Sequence, residues 1–167
     1  RGLGDVYKRQ TQHNESILNN QFGITLKVSL LNKVINLDNI YMYNVSPNNH
    51  NIINTPKHNN YTKLYYSGNW FKNTIPVQFG VNMYFRSEYN GNAYDPSLQS
   101  YYVQNSFILQ QYLRYNLFFN MQVKNFRVFL KMTHFNQFDR FNGYFATPYY
   151  PGQKKVLDLG VKWYFFN

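Results

Sequence analysis

The closing segment VLDLGVKWYFF places Leu157, Leu159, Val161, Trp163 and Phe165 on one side of an extended chain, and Val156, Asp158, Gly160, Lys162 and Tyr164 on the other. Side chains alternate between the two faces of a strand, so this pattern asks for hydrocarbon on one side and water on the other. A strand of a soluble sandwich can show it too. What separates the two cases is repetition: the alternation recurs along the chain, mostly in segments near the roughly 9–11 residues with which a tilted strand crosses a bilayer.

Composition narrows the choice. The 167 residues fit one domain, yet only 44% are hydrophobic and 14% charged while 20% are aromatic, a content that calls for a physical reason. Tyr and Trp favour membrane interfaces, where one end of the ring is apolar and the other wet, and a barrel carries two such girdles. No apolar run approaches the roughly 18 residues of a transmembrane helix. A membrane role therefore requires a barrel, because only helices and closed sheets satisfy every backbone polar group in lipid. Cysteine is absent, which removes disulfides and thiolate metal sites and leaves the compartment open.

Residues 1–10, RGLGDVYKRQ, read codon for codon as a translated transposase-type sequencing adapter and are set aside from fold reasoning. Residues 11–167 are then expected to be the C-terminal strands of a longer barrel. Without Arg1, Asp5, Lys8 and Arg9 the formal charge falls from +10 to +8, with 14 basic and 6 acidic residues left.

Strands are expected over residues 21–31, 35–46, 60–71, 76–88, 100–124, 126–136 and from 156 to the end. Short turns at 32–33, 72–74 and 124–125 alternate with long polar loops at 46–60, 88–100 and 137–155. In 100–124 a single apolar phase persists, from Tyr101 and Val103 through Phe107 and Leu109 to Val123, which suggests one long strand bulged near Gln111. The alternative is a hairpin turning near 111–114. Parity favours one strand, since every short turn then lies at one end of the sheet and every long loop at the other, as outer-membrane barrels arrange them. The fold expected is all-β: an antiparallel, up-and-down transmembrane β-barrel fragment of about seven strands, open because N-terminal strands are missing.

NAYDPSLQSYYVQN, NFRVFLKMTHFNQ and YFATPYYPGQKKVLDLGVKWYFFN resemble the C-terminal third of the putative porin family of Gram-negative outer membranes, over roughly residues 35–167. The resemblance implies export to the periplasm, insertion into outer-membrane lipid by the barrel-assembly machinery, and a monomeric or homo-oligomeric barrel; the solutes are not something it supplies. The usual insertion signal is an aromatic at the very end, whereas here Phe166 and Asn167 follow the in-phase Phe165.

The phases assign Lys27, Lys63, Arg86, Glu88, Arg114, Arg127, Lys131, Asp158 and Lys162 to the lumen. They assign Val77, Phe79, Val81, Met83, Leu117, Phe119, Val128, Leu130, Leu159, Val161, Trp163 and Phe165 to lipid. The lumen row is mostly cationic, which favours anions; the alternative is that several of these side chains snorkel or pair with acids on further strands and leave the lumen neutral. Chemistry is thinly marked, so neither catalysis, nor a metal, nor a cofactor is expected. His13, His50, His58 and His134 lie far apart and read as solvated loop residues, and no spacing supports a Ser/His/Asn site around His134. Glu88, Asp95 and Asp139 read as exposed loop carboxylates, and Gly23, Gly80 and Gly160 as positions that relieve crowding on the inward face.

Three function classes fit in decreasing order. A passive outer-membrane pore comes first. The barrel of an energy-coupled uptake receptor would need a plug and a coupling segment upstream. A soluble, basic, aromatic-rich nucleic-acid binder is the reading from a different class. Basic residues scattered over many strands, beside apolar rows too numerous for one small core, argue against nucleic acid as a partner.

Overall fold

The computed structural model describes residues 19–45, 54–137 and 144–165; residues 1–10, His13, His50, Asp139 and Phe166 lie outside them. Seven long strands make one antiparallel sheet: β1 (Asn20–Leu30), β2 (Ile35–Val45), β3 (His58–Trp70), β4 (Ile75–Arg86), β5 (Tyr112–Val123), β6 (Phe126–Thr133) and β7 (Val156–Trp163). Their order in the sheet is their order in the chain, and the sheet is not closed. The all-β, up-and-down architecture read from the sequence is the one observed.

Turns of two lengths alternate. β1 and β2, β3 and β4, and β5 and β6 are joined tightly, through residues 31–34, 71–74 and 124–125, while the long connections all leave the opposite end. The first two tight turns hold three consecutive residues each in the left-handed region, Leu31, Asn32 and Lys33 (φ 50°, 55°, 70°) and Phe71, Lys72 and Asn73 (φ 51°, 56°, 66°). Such backbone costs about 1–2 kcal/mol per non-glycine residue, so the ladders on either side must enforce it. Side chains help in the first: the Asn36 amide donates to the Lys33 carbonyl at 2.9 Å and accepts from the Ser29 hydroxyl at 2.7 Å.

The long strand expected over 100–124 is corrected. Sheet pairing begins only at Tyr112; residues 100–102 fold back on 93–95, and residues 108–109 pair with 89–90. Neither the single strand nor a hairpin turning at 111–114 describes this segment. The first half of the apolar phase belongs to a layer of short ladders at the long-loop end, together with the pair 145–147 and 150–151. That layer contains most of the well-packed interior: Leu109 is 1% exposed, Ala93 3%, and Pro148 is fully buried beside them. Gly91 lets it close, since a Cβ there would run into the Leu109 side chain. Phe107 packs edge-on against Phe145 at 5.5 Å, and the Thr147 hydroxyl donates to the Asn92 carbonyl at 2.9 Å.

Within the sheet, burial is light. Phe22, Ile24, Leu64, Leu159 and Val161 are each half or more exposed, the kind of apolar surface that marks an interaction or membrane face. Gly160 sits beneath the Phe129 ring and Gly80 against the Leu64 carbonyl, and a Cβ at either would collide, whereas at Gly23 it would make only an ordinary contact, so the crowding expected at the three glycines holds for Gly80 and Gly160 and not for Gly23.

Candidate pore-lining face

The register sorts every strand residue onto one of two faces, because directly paired residues point the same way. One row runs Val28, Leu37, Leu64, Val81, Leu117, Met132, Leu157 across all seven strands. The next runs Leu30, Ile35, Tyr66, Phe79, Phe119, Leu130, Leu159. Val77, Val128 and Val161 share this apolar face one row on, joined through Met121, and Met83 lies on it between Thr62 and Tyr115. At the tight-turn end aromatic rings gather on it: Trp70 lies 6.3 Å from Phe79, Phe126 stacks on Trp163 at 5.1 Å, and Trp163 lies 4.3 Å from Phe165. Phe165 itself stands two residues beyond the end of β7.

The opposite face is polar. Lys27, Asp38, Lys63, Asn82 and Asn116 form one row. Tyr65, Gly80, Phe118, Lys131 and Asp158 form the next, and Gln122, Arg127 and Lys162 lie toward the tight turns. Tyr84 with Arg114, and Arg86 with Tyr112, pair toward the long loops. Every Lys, Arg and Asp in the seven strands therefore stands on this face, and none on the other. Of the residues assigned to the lumen, only Glu88 is not placed there: it lies past the end of β4, exposed, in the connection that follows. Asp38, which the sequence left unassigned, takes its place on the face.

Aromatic rings dress these cations. The Lys63 ammonium lies 4.3 Å from the centre of the Tyr65 ring and 5.0 Å from that of Phe118, and the Arg114 guanidinium lies 4.3 Å from that of Tyr84. Arg127 donates to the Gln122 side chain at 3.2 Å. Arg86 donates to the Phe145 carbonyl at 2.8 Å and so reaches into the loop layer. Tyr144 comes down from that layer to stack on Tyr112 at 4.0 Å, with ring planes 17° apart. No local pattern marks this cluster, because Tyr144 and Tyr112 meet only through the long connection before β7.

Two histidines are corrected from solvated loop residues. His58 opens β3, half-buried, with its Nδ1 2.6 Å from the Tyr41 hydroxyl. His134 follows β6 and is fully buried, against the Tyr144 ring at 5.2 Å and Tyr112 at 6.0 Å. Its backbone N–H donates to the Asn116 side chain at 3.1 Å, and neither ring nitrogen makes a regular hydrogen bond. Among the described residues no hydroxyl is hydrogen-bonded to the His134 ring, and no cluster of His, Asp and Glu could hold a metal.

Burial lowers the His134 pKa, and the charge of Arg114 lowers it further, against a small opposing contribution from the Lys154 backbone. The unfolded chain therefore takes up the proton first. Stability is full above the ordinary imidazole value and is lost as pH falls below it toward the depressed folded value. Acidifying from about pH 7.5 to pH 5 should loosen the loop layer, read as earlier loss of the folded band on heating, and His134→Phe should remove that dependence. Asp95, whose pKa is lowered by bonds from the Ser97 hydroxyl and backbone, contributes only at more acidic pH. An unchanged pH response in His134→Phe would remove His134 as its source.

No curated protein and no solved structure matches the chain. The sequence model of one family does, over residues 5–167, and its description agrees with an unclosed antiparallel sheet whose faces are divided between apolar and charged residues: the chain belongs to the putative porin family.

Proposed function

We propose that these strands form part of an outer-membrane pore through which small solutes, anions preferentially, diffuse passively. The observation that carries this reading is the complete separation of charge in the sheet, with all strand Lys, Arg and Asp residues on one face and continuous apolar rows on the other. Water inside and lipid outside is the environment that suits both faces at once. The free edges of β1 and β7 would each leave a row of unpaired backbone groups, costing several kcal/mol apiece in hydrocarbon, so closure by further strands is part of the proposal. Insertion by the barrel-assembly machinery follows from the same reading.

The test is conductance of the complete barrel in planar bilayers: stepwise, ohmic channels support it, and a folded, inserted barrel with no conductance overturns it. Topology is testable separately. The tight turns should face the periplasm and the long loops the exterior, by the length asymmetry of such barrels. On intact cells an impermeant thiol reagent should label Leu98→Cys and miss Asn125→Cys; the opposite result reverses the orientation.

A further inference from the structure

At the long-loop end of the polar face a cavity of 420 Å³ lies between β3, β4 and β5 and beneath the loop layer. Its size is that of a small-molecule site. Arg86 and Arg114 line it, and the Nε–H of each is buried with no protein acceptor. A buried guanidinium donor left without an acceptor forfeits its hydration for nothing, so two of them in one cavity call for an explanation. Among the described residues neither guanidinium has a carboxylate within 4.0 Å that would account for it. The same cavity is walled by flat rings: Tyr61 and Tyr84 lie 4.8 Å apart, tilted by 42°, and Tyr112 is stacked on Tyr144. Asn59, paired with Arg86 on the same face, adds an amide group at its edge.

We propose that this cavity is a binding subsite for small monoanions whose carboxylate is carried on a six-membered ring. The two guanidiniums supply donors for the carboxylate, in the forked geometry that arginine offers and lysine does not. The tyrosine faces receive the flat side of the ring, and the Asn59 amide suits a hydroxyl substituent. Both a sugar acid and an aromatic acid carry this chemistry. The proposal rests on the polar face bounding an aqueous passage, and it places selection at the long-loop mouth, ahead of Lys63 and Lys131.

Equilibrium binding to the complete, detergent-folded barrel tests it by calorimetry, independently of conductance. Glucuronate and benzoate are the two ring acids; glucose, benzyl alcohol and acetate lack either the charge or the ring. At least one ring acid should bind tenfold or more tightly than its neutral partner and than acetate, and which one does so identifies the ring. Arg86→Gln with Arg114→Gln should remove that advantage. Arg86→Lys with Arg114→Lys, which keeps the charge, should weaken binding several-fold while the heat-shifted folded band is retained. Lys33→Gln, in the tight turn at the far end, should bind as the parent does. Ring acids binding no better than acetate or the neutral compounds, or full binding by the double glutamine variant, would overturn the subsite. Absence of conductance with ring-acid binding intact would instead count against the pore alone.

Discussion

Arginine at Val81, Leu130 or Val161 is expected to destabilise the inserted barrel by about 2–4 kcal/mol each, the cost of a charge on the lipid face near the bilayer midplane. At 1.4 kcal/mol per factor of ten, that is a loss of roughly 30- to 700-fold in the ratio of folded to unfolded protein. The three positions are chosen by register. Val81 lies between Leu64 and Leu117, Leu130 between Phe119 and Leu159, and Val161 opposite Val128, so an arginine at any of them is flanked by apolar side chains with no acid in its row. Thr25→Arg is the matched control, on an exposed position of the polar face of β1 where a cation stays in water. The fraction of barrel that runs as folded without heating reports both. An equal loss from Thr25→Arg and from the three apolar-face variants would mean that the apolar face does not meet lipid.

The face assignments were legible because period-two alternation needs no knowledge of partners. Once Val77, Val81 and Phe79 fall on one side of β4, the register merely joins them to rows already apolar on their own strands. The tight turns were legible for a related reason: only two to four residues separate consecutive alternating runs, so the strands must be neighbours. The same periodicity misled in residues 100–111. Tyr101, Val103, Phe107 and Leu109 keep the phase of β5, yet residues 100–102 pair with 93–95 instead of with β4, and Leu109 turns into the loop interior. Alternation marks an extended chain with two unlike sides; it does not say which segment lies alongside. That depended on the Gly91 contact with Leu109, on Pro148, and on Asn92 meeting Thr147, all of them distant in sequence.

The site was legible in part for similar reasons. Lys27, Lys63, Arg114 and Lys131 announced their face by phase, but their neighbours did not. Tyr61, Tyr84 and Tyr112 are in phase with the cations, so part of the aromatic content attributed to interface girdles lies on the polar face instead. The burial of His134 was equally hidden, since it arises from Tyr144 and Tyr112 closing over a residue that follows a strand end.

Neutralising Arg86, Arg127 and Lys131 together is expected to bring the pore's anion preference several-fold closer to none, with conductance retained. The seven strands carry Lys27, Lys63, Arg86, Arg114, Arg127, Lys131 and Lys162 on the polar face against Asp38 and Asp158, so the face is cationic even after opposite charges are matched. The register shows where matching occurs: Asp38 stands between Lys27 and Lys63, and Asp158 opposite Lys131. Arg127, by contrast, faces Lys162, and Arg86 faces Tyr112, so removing the charges of Arg86 and Arg127 takes away cations with no acid directly across from them. Removing Lys131 leaves Asp158 facing the passage alone, which adds a cation-attracting group where a neutral pair had been. All three changes act in one direction, lowering the positive potential that draws anions in and excludes cations. The reversal potential of the complete barrel under a potassium chloride gradient measures it. A cation preference in the parent, or the same reversal potential in parent and triple variant, would end the anion-selective reading while leaving the barrel itself untouched.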